Sequence, residues 1–423
     1  MSFELGAVFR GLALVVLVGV PLVAWRVRGR TYAAFGFVLL AFSLPGAWLT
    51  LGHLQAWLAE PWRSLAGLAF VWGMAASGAH LLHLIRARLR GRVFRALVSV
   101  PGQTFIAASF MAGPWQLALW PVRWGLGAAG LAEAAAMARW LDLVPYVVGA
   151  VSVATSTRRV TEWVDIRLGG DGPETLTRVP VDRARRRPVS EDRPLRVVQI
   201  ADPHLGPWQS VRRLRSTVDD LLRHEPDLVL LTGDFLTMEG NATRGALTEA
   251  LSPLRAQAGR CFAIFGNHDH EAPEEVRRAL LANDVQLLMD AEACLETAAG
   301  PVQILGADYV RKNRSEHLKE LFTRHPRRAE HLRLLLLHDP SAFHHVPAGE
   351  VDLTLSGHTH GGQVGLLSLG LDWTVLSRSR WPDHGLFARG ASRLYVHRGT
   401  GFYGFPLRVG VPGEASVLEL RRD

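Results

Sequence analysis

Cysteine is nearly absent from this chain of 423 residues, in which only Cys261 and Cys294 occur. Both stand beside apolar neighbours, and their spacing fits no cysteine-based metal site. We therefore expect two buried free thiols rather than a disulfide. The low count is compatible with a reducing compartment.

Internal repeats and nucleic-acid-binding modules are also absent. No segment recurs at the period of a solenoid, and no aromatic–basic module is visible. We therefore expect no nucleic acid among the partners. The net charge is nevertheless +8 and is carried almost wholly by arginine, which favours anionic partners such as phosphoesters or acidic lipid headgroups.

Charged residues are scarce before residue 157, where long apolar stretches follow one another. Each approaches the length of about 20 residues that a helix needs to cross a bilayer. The stretches are 6–25, 32–51, 65–85, 98–120 and 141–156. Prolines and glutamines interrupt the fourth, and the fifth is short but almost uncharged. We predict an all-helical transmembrane domain of about five spans over residues 1–157.

Arginines flank these stretches unevenly. Arg26, Arg28 and Arg30 follow the first stretch, and a second group follows the third over residues 86–95. The positive-inside rule places both groups in the cytoplasm. With five spans the remainder of the chain is cytoplasmic, whereas a re-entrant fourth stretch would make it extracytoplasmic. We predict the cytoplasmic side and keep the other as the alternative.

The sequence pattern changes after the apolar region. Residues 160–168 alternate like an edge strand, and the residues that follow are rich in glycine, proline and arginine. The arginines of this segment could contact acidic headgroups. We divide the chain into a transmembrane domain at 1–157, a strand and basic linker at 158–193, and a third domain at 194–423.

Short apolar runs alternate with amphipathic stretches in this third domain. The predicted strands are 195–201, 228–232, 261–265, 334–337 and 351–355. Apolar spacing predicts helices at about 210–224 and 242–256. Such alternation is typical of an α/β domain, in which ligands gather at the carboxyl ends of the strands.

Every predicted strand ends in side chains that can bind a metal ion. These donors are Asp202, His204, Asp234, Asn267, His338, His358 and His360. The last two lie one residue apart, so on an extended chain they face the same side, and the glycines around them leave room for a ligand. Carboxylate, amide and imidazole donors suit Mn, Fe, Zn or Co rather than copper or an iron–sulfur cluster.

This series of motifs resembles that of the calcineurin-like metallophosphoesterase superfamily. The motifs are Asp-x-His at 202–204, Gly-Asp at 233–234, Gly-Asn-His-Asp at 266–269, His-x-Pro at 338–340 and Gly-His-Thr-His-Gly-Gly-Gln at 357–363. The match covers residues 194–423 and is nearest to a bacterial branch with a membrane-spanning N-terminal region. The resemblance implies an α/β fold, a four-layer αββα sandwich behind an all-α transmembrane domain, and a protein of the bacterial inner membrane.

The resemblance also implies which residues hold two divalent metal ions. One ion would bind Asp202, His204, Asp234 and His360, and the other Asp234, Asn267, His338 and His358. Asp234 would then bridge two cations about 3.5–4 Å apart. A bridging water that loses a proton near neutral pH would be the nucleophile that attacks phosphorus.

Three further residues complete the predicted site. His268 is the candidate general acid for the leaving alkoxide, or at least a hydrogen-bond donor to the phosphoryl group, and Asp269 would orient it or favour its protonated form. Arg398 lies in a C-terminal segment that also resembles the family. Its guanidinium would pair either with a phosphate oxygen of the substrate or with a carboxylate in a structural salt bridge.

The sequence therefore predicts a membrane-bound phosphodiesterase or pyrophosphatase. Five spans exceed what anchoring needs, and leucines and tryptophans in residues 366–387 are interleaved with arginines, as at a lipid interface. We expect membrane lipids as partners and a lipid or lipid-linked phosphoester as substrate. The alternatives are a phosphodiesterase for soluble nucleotides and, less readily, a non-catalytic membrane scaffold. The oligomeric state stays open.

Overall fold

The computed structural model describes residues 2–180, 182–183, 194–402 and 404–422. Residues 181 and 184–193 of the predicted strand and basic linker lie outside this described part. The chain forms two compact units, one made of Met1–Ala154 with Gly404–Leu407 and the other of Thr155–Tyr403 with Arg408–Asp423. We call them the helical unit and the catalytic unit.

The described residues up to Thr157 are helical almost throughout. The helices are α1 (Ser2–Arg28), α2 (Arg30–Trp57), α3 (Trp62–Leu84), α4 (Arg92–Phe94), α5 (Val100–Ala128), α6 (Ala132–Met137) and α7 (Val144–Thr157). A π-helical turn over Arg95–Ser99 joins α4 to α5, and a 3-10 helix over Ala138–Leu143 joins α6 to α7.

Five helical segments are long and apolar enough to cross a membrane. They are Leu5–Arg28, Arg30–Trp57, Trp62–Leu84, Arg92–Ala128 and Ala132–Thr157. The predicted fourth stretch is helical without a break, although Pro101 lies in the first turn of α5 and Pro114 lies inside that helix. The fifth segment is longer than predicted and contains the 3-10 helix.

Glycines let these helices pack closely. A Cβ atom on Gly46 of α2 would collide with the backbone of Ser109 and Gly113 in α5. A Cβ atom on Gly102 of α5 would likewise collide with the backbone of Ala76 in α3. Close approach through small residues is typical of helices that associate in a membrane.

Ionisable and amide side chains buried among these helices are paired. Asp142 is completely buried and contacts both Arg123 and His53, with 2.6 Å between its carboxylate and His53 Nδ1. The amide nitrogen of Gln103 lies 2.6 Å from His80 Nε2. An unpaired polar group in hydrocarbon costs several kcal/mol, which explains why these groups occur in pairs.

The catalytic unit contains two seven-stranded sheets with the orders β3-β1-β14-β4-β5-β6-β7 and β2-β12-β13-β11-β10-β9-β8. The strands are β1 (Arg159–Leu168), β2 (Thr177–Arg178), β3 (Asp182–Arg183), β4 (Leu195–Ile200), β5 (Leu228–Leu231), β6 (Cys261–Ala263), β7 (Gln286–Leu287), β8 (Ala291–Thr297), β9 (Gly300–Ala307), β10 (Leu332–Leu337), β11 (Leu353–Ser356), β12 (Gly385–Arg389), β13 (Ser392–Val396) and β14 (Gly413–Arg422).

The main core lies between the two sheets. Val197, Leu230 and Phe262 of the first sheet pack in one buried cluster with Leu334 and Leu355 of the second. These side chains come from near-continuous apolar runs, as expected for parallel strands covered on both faces.

Helices cover the outer faces of the sheets. They are α8 (Val211–Leu222), α9 (Met238–Asn241), α10 (Ala246–Ala250), α11 (Pro273–Leu281) and α12 (Arg314–Arg324). Helix α8 packs against β14, and the apolar side of α12 packs against the second sheet. This arrangement confirms the predicted α/β class with two central sheets flanked by helices.

Some details differ from the sequence predictions. The helix predicted over 242–256 is shorter, because α10 ends at Ala250 and a 3-10 helix that contains Pro253 follows it. Both cysteines are free and Cys261 is buried, but Cys294 is exposed on the edge strand β8, so its predicted burial is wrong.

Candidate metal centre

Parallel strand pairing brings the predicted donor segments together. Strand β4 pairs in parallel with β5, β5 with β6, and β10 with β11, so their carboxyl ends lie side by side. Asp202, Asp234 and Asn267 follow strands of the first sheet, and His338 and His358 follow strands of the second. Donors that are far apart along the chain therefore lie together at the edges of the sheets.

Five of these donors have a left-handed backbone. They are Asp202 (φ 50°), His204 (φ 44°), Asp234 (φ 58°), His358 (φ 72°) and His360 (φ 53°). Non-glycine residues adopt this conformation at a cost of about 1–3 kcal/mol each. The chain leaves each strand in a sharp turn, and strain of this kind is typical of a functional site.

Asp202, His204 and His360 form the first group of donors. One atom of each lies within 4.8 Å of the others, and all three residues are buried. His204 Nε2 is 3.2 Å from His360 Nε2, which is itself 3.8 Å from a carboxylate oxygen of Asp202. A carboxylate and two imidazoles so placed could hold a divalent cation.

Asp234, His338 and His358 form the second group. His338 Nε2 lies 3.3 Å from Asp234 Oδ2 and 3.2 Å from His358 Nδ1. The side-chain oxygen of Asn267 is 3.2 Å from the same His338 nitrogen. This group therefore offers a carboxylate, two imidazoles and an amide oxygen at one point.

Asp234 stands between the two groups. Its Oδ2 atom is 3.3 Å from His338 Nε2 in one group and 3.7 Å from His204 Nε2 in the other. The structure thus brings all seven predicted donors together and places the carboxylate of Asp234 where it can serve two cations.

Backbone hydrogen bonds orient several of these side chains. His338 Nδ1 lies 2.7 Å from the carbonyl oxygen of Thr232, so Nδ1–H donates to that oxygen, and in the neutral ring the lone pair is on Nε2, which faces the site. The backbone N–H of His358 donates to both oxygens of Asp202, each at 3.0 Å. The amide of His268 donates to Asp234 Oδ1 over 2.9 Å.

Burial keeps three of the imidazoles neutral. It lowers the pKa of His204 to about 3 and that of His358 to about 4, and it lowers the pKa of His360 well below its usual value. A neutral imidazole is the form that binds a metal ion. These donors therefore do not have to lose a proton before they can bind a cation at neutral pH.

The two buried carboxylates need positive charge. Burial raises the pKa of Asp202, His338 opposes this shift, and the negative charge of Asp234 adds to it. Burial also acts to raise the pKa of Asp234, but His338 and His204 outweigh it and lower that pKa. Adjacent buried carboxylates are costly unless cations compensate them, so donor chemistry and charge both fit divalent metal ions.

Two glycines make room for the carboxylates. A Cβ atom on Gly266 would collide with Oδ1 of Asp234, and a Cβ atom on Gly357 would collide with Oδ2 of Asp202. Both glycines belong to the motifs that precede donors, in Gly-Asn-His-Asp and Gly-His-Thr-His. Their role is close approach between neighbouring loops rather than backbone flexibility.

His268 borders the donor cluster and is partly exposed. Its ring lies 5.7 Å from the ring of His204, and its Nδ1 is 3.0 Å from a carboxylate oxygen of Glu271. Burial alone would lower the pKa of His268, but the hydrogen bond to Glu271 and the charge of Asp234 outweigh burial and raise it. The geometry thus favours a protonated imidazole beside the cluster.

Glu271→Gln should move the alkaline limb of the pH–rate profile to lower pH. A general acid works in its protonated form, so activity falls as the pH rises through its pKa. Loss of the Glu271 charge lowers the pKa of His268, and the fall therefore begins earlier. The profile of kcat/KM for an alkyl phosphodiester measures this limb. The exposed residue Glu274 supplies the control Glu274→Gln, and an unmoved limb in Glu271→Gln would contradict the role of His268.

Asp269 holds loops together rather than orienting His268. It is fully buried, and its carboxylate accepts hydrogen bonds from the backbone N–H groups of Asp234 at 2.7 Å, Phe235 at 2.8 Å and Gly266 at 2.8 Å. The side chain therefore fixes the turn that carries Asp234. The contact to the His268 ring that sequence reasoning assigned to Asp269 is made by Glu271.

Arg398 is engaged by carboxylates of the protein. Its NH2 group lies 2.6 Å from Glu162 and its Nε lies 3.0 Å from Glu414. The residue is almost completely buried. Of the two predicted roles, this geometry favours the structural salt bridge over a contact with phosphate.

Sequence reasoning missed neighbours that lie far away along the chain. The ring of Tyr309 lies 6.2 Å from that of His338 and 6.4 Å from that of His358. A carboxylate oxygen of Asp339 is 4.0 Å from His358 Nε2. Asp339 could have been noticed, because it follows His338 directly, but no motif marks Tyr309.

Known proteins resemble the catalytic unit. Residues 195–362, which contain all seven donors, match the calcineurin-like phosphoesterase family. The chain is 31% identical over 238 residues to the uncharacterized metallophosphoesterase YkoQ of Bacillus subtilis, a match that covers 53% of this chain and 83% of that protein. It is 27% identical over 232 residues to the phosphodiesterase YaeI of Escherichia coli, covering 54% and 82%.

A relative with a membrane region also matches. The chain is 26% identical over 272 residues to the transmembrane protein with metallophosphoesterase domain of Bos taurus, covering 60% of this chain and 59% of that protein.

Proposed function

The chain belongs to the calcineurin-like metallophosphoesterase family, and we propose that it is a membrane-bound enzyme that uses two divalent cations to hydrolyse a lipid or lipid-linked phosphodiester or pyrophosphate. Family membership makes it a metal-dependent phosphoester hydrolase. The observation that carries the two-cation part is the position of Asp234 between two groups of metal donors. Two closely spaced cations need such an anionic bridge.

Each group of donors holds one cation in this proposal. Asp202, His204, Asp234 and His360 would hold the first cation, and Asp234, Asn267, His338 and His358 would hold the second. Mn, Fe, Zn and Co all accept this set of oxygen and nitrogen donors. The bound cations would neutralise charge on the phosphoryl oxygens and make a water molecule a better nucleophile.

The protein's own groups position the phosphoester and supply the proton. His268 donates its proton to the leaving oxygen, because the carboxylate of Glu271, 3.0 Å from its Nδ1, favours the protonated imidazole. Asp269 keeps Asp234 in place through the backbone of the turn. Arg398 has no assigned contact with substrate, because Glu162 and Glu414 already engage it.

An exposed apolar segment supports a lipid substrate. Leu369 is 74% exposed, and Leu371, Trp373 and Trp381 also expose large parts of their side chains. The segment follows the donor His360 along the chain and is interleaved with arginines. Exposed leucine and tryptophan beside arginine suit the boundary between headgroups and acyl chains.

The catalytic unit faces the cytoplasm of a bacterial cell in this proposal. Helices α1 and α3 are both followed by arginines, which favour the cytoplasmic side, and an odd number of spans leaves the catalytic unit on that side too. A C-terminal fluorescent protein should therefore fluoresce in cells. An active C-terminal alkaline phosphatase fusion would contradict this orientation.

Lipid substrates should be hydrolysed in preference to soluble ones. The test uses the full-length protein in detergent with added Mn, and it compares kcat/KM for phospholipids and for polyprenyl- or nucleotide-linked lipids with kcat/KM for soluble nucleotides. The variant Trp373→Ser should lose lipid turnover but keep turnover of bis-p-nitrophenyl phosphate. Activity confined to soluble esters would remove the lipid part and favour a phosphodiesterase for nucleotides that uses its helices as an anchor.

A further inference from the structure

The catalytic unit contains a cavity that the metal donors do not line. Its volume is about 710 Å³, and none of the seven donors lines it. Val160 and Val164 of β1, Leu386 of β12 and Leu371 contribute apolar walls. Cavities of a few hundred Å³ that combine apolar walls with a few polar groups are typical of ligand sites, and this one far exceeds the size of a free phosphate ion.

Arginines line the same cavity, and some of them are already paired. The four are Arg158, Arg178, Arg398 and Arg408. Arg398 contacts Glu162 and Glu414, whereas Arg178 contacts Asp372 and Asp383. Among the described residues no carboxylate pairs with Arg158 or Arg408. Within the described part of the chain neither guanidinium group therefore has a salt-bridge partner, although the charges of Asp202 and Glu414 act on Arg408 from a longer distance.

The guanidinium group of Arg408 is buried, which is unusual for a charged side chain. It is only 1% exposed, and its NH2 group donates to the carbonyl oxygens of Arg398 at 2.7 Å and Gly401 at 2.6 Å. Its Nε has no hydrogen-bond partner among the described atoms. A bound anion would reduce the cost of keeping this guanidinium charged.

The exposed Arg158 supplies a second cation to the same cavity. The two residues belong to neighbouring segments, because the hydroxyl of Ser156, two residues before Arg158, accepts a hydrogen bond at 2.8 Å from the Arg408 N–H. One buried and one exposed guanidinium beside valine and leucine side chains fit a molecule with an anionic head and an apolar tail. A small anion alone would leave the apolar walls without a partner.

We propose that this cavity binds an anionic lipid, with its phosphate group at Arg408 and Arg158 and the start of its chain along the apolar wall. The site is separate from the metal centre and goes beyond the proposed hydrolysis. The lipid could bind in this cavity whether or not metal ions are bound at the metal centre. Because Arg408 NH2 also lies 3.2 Å from His360 Nδ1, the occupant would contact a residue that supports the centre.

Binding of dodecyl phosphate to the full-length protein tests this site. The protein is kept in a neutral detergent with EDTA, so that metal ions cannot hold the probe, and the dissociation constant is measured by native mass spectrometry. We expect one saturable site per chain. Arg158→Gln should weaken binding about tenfold or more, because it removes a charge-assisted hydrogen bond. Leu371→Trp should weaken it similarly by filling the cavity.

Matched controls separate these effects from general ones. Arg212→Gln removes an exposed arginine of α8, and Leu281→Trp enlarges an exposed leucine of α11, and neither should alter binding. Arg408→Gln should abolish binding. If this substitution of a buried residue prevents folding, Arg158→Gln provides the test.

Three results would overturn the proposal. The first is unchanged affinity in both Arg158→Gln and Leu371→Trp. The second is equally tight binding of inorganic phosphate, which would show a small-anion site. The third is loss of the probe in Asp234→Asn, which would place it at the metal centre. Normal probe binding by Asp234→Asn without turnover would support two separate sites. Probe binding by a wild-type protein without phosphoesterase activity would refute only the proposed hydrolysis.

Discussion

Asp234→Asn should reduce phosphodiester turnover by about a thousandfold or more, which corresponds to a loss of ~4 kcal/mol in transition-state stabilisation. The asparagine keeps the size of the side chain and an acceptor for the N–H of His268, which donates to Asp234 at 2.9 Å. It removes the negative charge that both groups of donors share. Neither cation would then be fully compensated, and metal affinity and rate should fall together.

The rate is measured with the full-length variant in detergent at saturating Mn. Asp171→Asn is the matched control, because Asp171 is exposed and lies away from the donors along the chain. Both variants should insert into membranes and unfold at temperatures near that of the wild type. An undiminished rate in metal-loaded Asp234→Asn would remove Asp234 from the centre.

His268→Ala should slow the hydrolysis of alkyl phosphodiesters by about a hundredfold to ten-thousandfold, the usual contribution of a general acid. The expected loss depends on the leaving group. An alkoxide needs a proton as it departs, whereas p-nitrophenolate is stable without one. The same variant should therefore retain most of its activity on p-nitrophenyl esters.

Comparison of the two substrates distinguishes proton donation from a structural role. His344→Ala is the control, because His344 is an exposed histidine of the same unit. It should leave both rates unchanged. If His268→Ala slowed the alkyl and p-nitrophenyl esters equally, the imidazole would act by binding or by supporting the fold, and the proton would come from another group.

The sequence predicted seven metal donors, and the structure brings those seven side chains together at the candidate metal centre. Each donor directly follows an apolar run, and parallel strands place their carboxyl ends together. For that reason Asp202 and His358 could be expected to meet although 156 residues separate them, and the structure shows the backbone N–H of His358 donating to Asp202. The helices of the N-terminal region were also predictable, because several long stretches with almost no charge are typical of membrane-spanning helices.

The supporting contacts were not predictable in the same way. Asp269 was expected at the His268 ring, but its carboxylate instead binds backbone N–H groups of two neighbouring loops. The loops that carry Asp202 and Asp234 adopt a left-handed backbone at these residues, which aspartate does not favour strongly enough for a prediction. Backbone direction decides which side chain reaches which atom, and local sequence does not specify it.

The pairing of arginines shows the same limit. A cluster of basic residues in a sequence gives charge but not partners. Arg398 became a buried salt bridge because Glu162 of β1 and Glu414 of β14 lie beside it, whereas Arg408 is surrounded by carbonyl oxygens. Only the fold shows which arginine contacts carboxylates and which contacts carbonyl oxygens.

Anomalous X-ray diffraction from crystals grown with Mn tests the two-cation assignment most directly. The assignment predicts two Mn peaks about 3.5–4 Å apart on either side of the Asp234 carboxylate. One peak should lie within bonding distance of His204 and His360, and the other within bonding distance of His338 and His358. A single peak, or a second peak beyond the reach of His338 and His358, would contradict a dinuclear centre.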